Sequence, residues 1–393
     1  MNGCFQAKRI LFFVPENNVE KNGVYASQVL GLARYCANQG ARCLIFHYDP
    51  AGKAGIRALE PGIDIVSDVT ARRYRQFWFK TKDLRFVARR FWKELISFSP
   101  THIYTREFAS CRAAKELALS TRAKLIYSMR GPDVYERMEM GGVKNWIASL
   151  YISWAVRDAM RICDRFQTMS IPFARWNKRK YCRDAIVYQC CVTDRFFTRI
   201  SEPERQKIRS GLGFSEGDKV VVWCGAYFTW QRIEEIACLM RDVNRLDSTV
   251  KSLFILKDAE RMDAFCRKIN FKEGAWASIA LSPSQVPAYL QSSDVGINCL
   301  AVDVFRSKIV SPIKVGEYLA SGLPVLITRT MGDVPEIIKE FNVGAILDDA
   351  LTPSVALDDI KLLCAVKCER AIECAKKYYS WDANKEKLSE LFA

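Results

Sequence analysis

The sequence predicts an α/β protein built from two doubly wound, Rossmann-like domains. A chain of 393 residues, 49% of them apolar, can bury more than one core. Short apolar runs alternate with segments of helical periodicity, as a parallel sheet with crossover helices requires. The alternation stops at a polar, turn-rich stretch, "TDRFFTRISEPERQKIRSGLGFSEGD" (Thr193 to Asp218), and then begins again. A domain boundary near residues 195 to 215 follows.

In the first half, "RILFFVP" (Arg9 to Pro15) is a strand followed by a polar loop, "ENNVEKNG". Helical spacing from Val24 to Asn38, the stop at Gly40 and the apolar run "RCLIFHY" complete a βαβ unit. "THIYTRE" (Thr101 to Glu107), a helix through Leu119 and "KLIYSMRG" (Lys124 to Gly131) repeat it. A long helix over about Lys144 to Cys163 and a strand at "AIVYQCCV" (Ala185 to Val192) close this half. In the second half, strands at "KVVVWCG", "SLFILKD", "WASIAL", "VGINCL" and "LPVLIT" alternate with helices at Arg232 to Leu246, Ala259 to Ile269 and Val334 to Glu340. The predicted domains are residues 1–195 and 196–375, with residues 376–393 forming a helix that crosses back to the first.

Charge divides the halves. Residues 1–195 hold 33 Lys and Arg against 17 Asp and Glu, a net +16, whereas residues 196–393 hold 26 against 27. An anionic partner is therefore expected for the first half alone: a membrane surface, nucleic acid or an acidic substrate. The fifteen cysteines contain no C-x-x-C pair and are accompanied by two histidines, so they read as reduced, mostly buried thiols of a cytoplasmic protein. Cys364, Cys368 and Cys374 resemble a ligand cluster, but on a helix they are expected to face the core. No apolar run approaches the roughly 18 residues that span a bilayer, and the short apolar start followed by "PENNVEKNG" does not read as a signal peptide.

The most informative stretch is "SPIKVGEYLASGLPVL" (Ser311 to Leu326). Ser311 suits an N-cap and Pro312 the first turn, Gly322 supplies the stop, and Pro324 leads into a buried strand. Neither G-x-G-x-x-G nor the P-loop pattern occurs, so a phosphate would have to be held by other means. A helix start provides unpaired N–H donors and a favourable dipole. Lys314 in that first turn is unfavourable by about 0.3–1 kcal/mol unless an anion sits there. Lys314 and Glu317 share a helical face, so a cation for phosphate and a carboxylate for sugar hydroxyls suit a nucleotide diphosphate. A solvated ion pair on an ordinary helix is the alternative.

With those residues in view, "SPIKVGEYLASGLPVLITRTMGDVPEII" resembles the donor-domain signature of retaining GT-B glycosyltransferases of the large sucrose-synthase and mannosyltransferase-like family. "VVVWCGAYFTWQ", "VPAYLQSSDVGI" and "YSWDANKEKLSELF" follow in the family's order, and "HIYTRE", "IYSMRG" and "CCVTDRFF" are similar to its acceptor-domain pieces. The resemblance implies a GT-B fold, two Rossmann-like domains facing across a cleft, acceptor-binding in the first and nucleotide-sugar-binding in the second. It implies transfer of a hexose from a UDP- or GDP-sugar to a glycan or lipid-linked acceptor, in cell-surface polysaccharide or lipid-linked oligosaccharide synthesis, with retention and with no cofactor beyond the donor substrate. Glu317 matches the second acid of the family's Glu-x7-Glu pair, which contacts the ribose; the first falls on Ile309. The basic pair of the family's loop falls near Ala226 and Trp230, neither of them basic. Donor-binding is thus assigned to Gly225, Arg232, Ser311, Pro312, Ile313, Lys314 and Glu317, with Arg306 and Lys308 as further cations. Catalytic roles fall to Lys314 and Arg130, and the acceptor side to Asn22, Gly23 and Arg130. No Asp-x-Asp triplet occurs, which favours metal-independent chemistry.

"RRYRQFWFKTKDLRFVARRFWKEL" (Arg72 to Leu95) interleaves nine basic residues with aromatics. An anionic membrane, with the protein peripheral on its inner face, is the expected partner; a core-facing helix with a solvated basic face is the alternative. "RWNKRKYCR" (Arg175 to Arg183) adds to the basic half. Two rivals stand beside the transferase reading. A GT-B-like sugar-nucleotide epimerase would need acid–base groups, for which His47 and His102 are the available histidines. A nucleic-acid-binding protein would explain the charge and leave Lys314 and Glu317 without a role, so no nucleic acid is expected.

Overall fold

The structure is a computed structural model that describes residues 5–15, 17–20, 23–50, 52–69 and 80–393. Asn22 and residues 72–79 of the basic aromatic segment lie outside the described residues. The chain divides into two compact units, Met1–Gln189 with Asn384–Ala393, and Cys190–Ala383. The division falls at Gln189, a few residues before the predicted one. The last helix, Lys385–Leu391, belongs to the first unit, while Cys368–Tyr378 stays with the second.

The first unit is an eight-stranded sheet. Its strands are β1 (Arg9–Val14), β2 (Arg42–Tyr48), β3 (Gly55–Glu60), β4 (Ile63–Asp68), β5 (His102–Thr105), β6 (Lys124–Ser128), β7 (Arg165–Thr168) and β8 (Ile186–Val187). They run in the order β3-β4-β2-β1-β5-β6-β7-β8, and all neighbours are parallel except β3 against β4. Phe12, Phe13 and Phe46 are fully buried, as strands covered by helices on both faces require. The β3–β4 hairpin is absent from the sequence reading, although its turn carries Pro61 and Gly62, the latter at φ +76°. The expected strand at Ala185 to Val192 shrinks to two residues. Beyond it the Tyr188 N–H still donates to the Thr168 carbonyl of β7 at 3.3 Å, and farther on the Val192 N–H donates to the Tyr379 carbonyl at 2.8 Å.

The second unit holds β9 (Lys219–Cys224), β10 (Val250–Ile255), β11 (Trp276–Ile279), β12 (Val295–Asn298), β13 (Val325–Thr328) and β14 (Gly344–Leu347). The order is β11-β10-β9-β12-β13-β14 and every pairing is parallel. Numbered within the unit this is the 3-2-1-4-5-6 order of dinucleotide-binding folds, which reverses between β9 and β12. Two apolar layers sandwich the sheet, one around Val222, Tyr318 and Tyr379, the other around Trp223, Phe254 and Ile297. Gly296 is required here, because a Cβ on it would stand 2.5 Å from the Tyr318 ring. Helix Glu202–Gly211 is tied to the sheet by buried Arg209, whose guanidinium meets Asp294 at 2.5 Å.

The described cysteines are free thiols, and Cys374 is fully buried with Cys364 and Cys368 partly so. Among the described residues no helix is long and apolar enough to cross a membrane.

His102 carries a pH dependence. Burial, reinforced by Lys8, Lys124 and Arg165, lowers its pKa to about 4. The unfolded chain therefore binds this proton first as pH falls. Stability from this residue is fully present above about pH 6.5 and is lost progressively down to about pH 4. The melting temperature of the wild type should fall across that window more steeply than that of His102→Gln; equal slopes would contradict the assignment.

Candidate functional site

In the second unit the carboxyl ends of β9 and β12 and the start of helix Ile313–Ala320 converge where the strand order reverses. Open parallel sheets bind ligands at such a point, because adjacent crossovers go to opposite faces and leave a crevice. The helix is capped differently from the sequence expectation. Pro312 is the N-cap residue, with φ −67° and ψ 121°, and no side chain caps the turn. Ser311, buried, instead accepts a hydrogen bond from the Cys190 N–H at 3.4 Å. The reason is geometric: proline at the cap keeps the residue before it extended, so Ser311 cannot fold back on the turn. The Val315 N–H donates to Pro312, and Ile313 and Lys314 supply the remaining first-turn donors, which have no acceptor within a helix that starts here.

Lys314 and Glu317 meet at 2.6 Å. Glu317 is buried and Lys314 is half-buried. Burial works against the lysine charge, while Glu317 favours it through its own charge and its hydrogen bond; the Lys314 pKa is raised and the ammonium persists. Cys224 ends β9 and is anchored by its own backbone, whose N–H donates to the Tyr318 hydroxyl at 2.7 Å. Burial raises the Cys224 thiol, which stays protonated beside the lysine. The pair is thus more than a solvated surface bridge.

Gly225 follows directly. A Cβ there would meet Gln231 Oε1 at 2.6 Å and the Trp223 ring at 2.8 Å, so a side chain does not fit. Arg232 lies on the same loop at φ +49° and caps helix Ile233–Leu246. It is partly committed: its Nε donates to Glu235 at 2.9 Å, while its buried Nη1 has no partner among the described residues. Arg306 stacks over Trp230 with its guanidinium carbon 5.1 Å from the ring centre, and the Phe228 ring stacks with Trp230, the ring centres 6.2 Å apart. Lys308 is exposed. Ile309, where the resembling family carries an acid, is buried and apolar. The aromatic pair Phe228 and Trp230 escaped the sequence reading; the signal was the alternation of aromatics in "YFTW" directly after a strand.

In the first unit the order reverses between β1 and β5. A pocket at that edge is lined by Tyr25, Arg106, Glu107, Arg130, Gly131, Asp133 and Glu136. Arg130 donates to the Tyr104 hydroxyl at 2.8 Å and lies over the Tyr188 ring at 5.8 Å. Burial favours the neutral Tyr104 phenol, yet Arg130 and Arg106 outweigh it and lower its pKa. Gly23 begins the short helical turn Gly23–Tyr25, and a Cβ on it would meet nothing within 4 Å. No steric reason for that glycine emerges. Arg106, Asp133 and Glu136 were not singled out from sequence. Arg106 had a signal, since it follows β5 as Arg130 follows β6.

His47 lies near Glu20 and Asp49 in an arrangement of metal-ligand types. Both of its ring nitrogens are engaged, Nδ1 by the Val19 N–H at 3.3 Å and Nε2 with the Ser67 hydroxyl at 2.8 Å. The ring is a buried structural bracket.

No family model matches the sequence, and neither does any curated protein. Solved structures match along almost the whole chain. Sucrose-phosphate synthase from Thermosynechococcus elongatus is 11% identical, with 98% of each chain covered and a TM-score of 0.78. WaaG, a glycosyltransferase involved in lipopolysaccharide biosynthesis, is 11% identical over 98% of this chain and 99% of its own, with a TM-score of 0.69. Anabaena HepE in complex with UDP and glucose is 12% identical, with 98% of each chain covered and a TM-score of 0.66. Such likeness at low identity defines the fold: this chain has the GT-B fold of two Rossmann-like, doubly wound domains.

Proposed function

We propose that the protein is a glycosyltransferase that moves a hexose from a nucleotide-diphosphate sugar to a glycan acceptor, with retention and without a metal. The observation that carries this reading is the Lys314–Glu317 pair at the helix start beside the strand-order reversal of the second unit. The neighbours in the fold are named as glycosyltransferases and synthases, and HepE was solved with UDP and glucose.

The second unit holds the donor. Ile313 and Lys314 N–H groups and the Lys314 ammonium receive the diphosphate, Gly225 lets it approach the backbone after β9, and Glu317 accepts from ribose hydroxyls with the oxygen that Lys314 leaves open. Ser311 and Pro312 shape the turn, and Arg232 offers its remaining N–H to the phosphates. As the glycosidic bond breaks, charge grows on the leaving diphosphate, and these fixed donors stabilise it. The first unit holds the acceptor, with Arg130, Gly23 and Asn22 on that side and Arg130 as a catalytic contact. The acceptor is a lipid-linked oligosaccharide or cell-surface polysaccharide precursor.

A lipid-linked acceptor calls for a membrane surface, and the first unit has one. In the described part of the basic segment, Leu84, Val87, Phe91 and Leu95 are buried, and Arg89 and Arg90 pair with Glu116 and Asp68. That part, helix Lys80–Arg90 and the start of helix Trp92–Ser97, turns these apolar residues to the core and exposes Phe86 among its charged residues. Helix Val143–Ile162 instead exposes Val143, Ile147, Leu150 and Trp154 along one stripe, with Trp146 beside it at 55% exposure. Exposed tryptophans on a unit with 34 basic and 18 acidic residues suit the interface of an anionic bilayer at its cytoplasmic face.

Titration calorimetry with UDP and GDP tests the donor site. One diphosphate should bind, and Lys314→Met should weaken it about 10-fold or more, as the loss of a charged hydrogen bond would; unchanged affinity would refute the assignment. Vesicles containing anionic lipid should retain the wild type at low salt, and Trp146→Ser with Trp154→Ser should abolish retention. Retention undiminished in that variant would exclude this stripe.

A further inference from the structure

Arg106 is the outlier of the first unit. Its residue is only 7% exposed, and neither its Nε nor its Nη1 has a hydrogen-bond partner among the described residues. Its guanidinium carbon lies 4.6 Å from the centre of the Tyr25 ring, and its charge also acts on the Tyr104 phenol. A buried guanidinium keeps its charge, so leaving it without a counter-ion costs several kcal/mol. Neighbouring acids do not relieve it. Glu107 is taken by Lys80. Burial, with Glu136 and Glu107 adding to it, raises the Asp133 pKa well above the carboxylate range. The pocket lining thus brings together two guanidinium groups, Arg106 and Arg130, and three carboxyl groups, Glu107, Asp133 and Glu136, of which Glu107 is paired with Lys80.

The pocket itself encloses about 180 Å³, below the ~300–1,000 Å³ typical of drug-sized ligands. Its lining holds the guanidinium groups of Arg106 and Arg130 together with Asp133, Glu136 and the backbone at Gly131. A Cβ on Gly131 would lie 2.6 Å from Glu136 Oε1, so glycine keeps that wall close and the carboxylate near the cavity. Such a lining pairs an anion with hydroxyl groups in one small ligand.

We propose that this pocket binds a monosaccharide unit bearing an anionic group, a phosphate or a carboxylate, with Arg106 and Arg130 on the anion and Asp133 and Glu136 on ring hydroxyls. The inference rests on the transferase reading in that this unit would be the acceptor end that the first unit presents. Arg106 is then an acceptor-recognition residue, and its empty donors are filled when the acceptor binds. Phosphate and carboxylate share the recognition by a guanidinium fork, and they are separated by experiment.

The test is titration calorimetry on the full chain with glucose 6-phosphate, mannose 6-phosphate, glucuronate, galacturonate, glucose and inorganic phosphate, run beside UDP and GDP. At least one anionic sugar should bind about 10-fold or more tightly than glucose. The stronger of the phosphate and carboxylate arms identifies the anion. Arg106→Gln should remove that advantage and Arg106→Lys should restore part of it, while both keep wild-type nucleotide affinity. Equal binding of charged and neutral sugars, no sugar binding at all, or inorganic phosphate binding as tightly as the best sugar would overturn the proposal. If Arg106→Gln does not fold, the wild-type comparison of charged against neutral sugars still decides. Nucleotide binding without anionic-sugar preference would sink this inference alone; loss of nucleotide binding in the wild type would sink the transferase reading itself.

Discussion

A parallel sheet can change its winding direction only by sending adjacent crossovers to opposite faces, and that constraint organises both units of this protein. In the second unit it separates the carboxyl ends of β9 and β12 and brings Cys224, Gly225 and the first turn of helix Ile313–Ala320 to one place. In the first it does the same between β1 and β5, where Tyr25, Arg106 and Arg130 gather. Neither constellation is local in sequence. Each depends on strand order, and strand order depends on the buried apolar strands that leave the sheet edges at β3 and β8, and at β11 and β14.

The two places differ in how their charges are settled. Lys314 is matched by Glu317 at 2.6 Å and sits beside a neutral thiol, so its charge is stable in the empty protein. A diphosphate arriving there joins a pair already formed and competes with Glu317 for the ammonium. Arg106 has no such internal partner among the described residues. A protein retains a buried, unmatched guanidinium at the expense of stability, and a ligand that completes it recovers that free energy on binding. The donor region is therefore preorganised, and the pocket of the first unit is left charged until it is filled.

Most of the architecture was legible because helix and strand periodicities are local. The two domains, the helix over Val143–Ile162 and the stop at Gly322, where φ is +83°, follow from apolar spacing and from glycine's tolerance of positive φ. Strands β7 and β14 were not read from the sequence; β7, "RFQT", carries a single apolar residue and shows no apolar run. The capping at Ser311 misled because the serine's partner, Cys190, lies 121 residues away. The pocket at Arg106 was missed for the same kind of reason. Its residues come from three strand ends, and the missing hydrogen bonds that mark it exist only in three dimensions. The interleaved aromatic and basic residues of Arg72 to Leu95 suggested a membrane face; in the described part, 80–95, Leu84, Val87, Phe91 and Leu95 turn inward while Phe86 is exposed, and helix Val143–Ile162 carries exposed tryptophans.

The central claim is that the start of helix Ile313–Ala320 receives a nucleotide diphosphate. A crystal structure of the protein with UDP or GDP tests it most directly. The account predicts diphosphate oxygens within hydrogen-bond distance of the Ile313 and Lys314 N–H groups and of Lys314 Nζ, with the ribose against Glu317. A nucleotide seated elsewhere in the second unit, with the Lys314–Glu317 pair untouched, would contradict it.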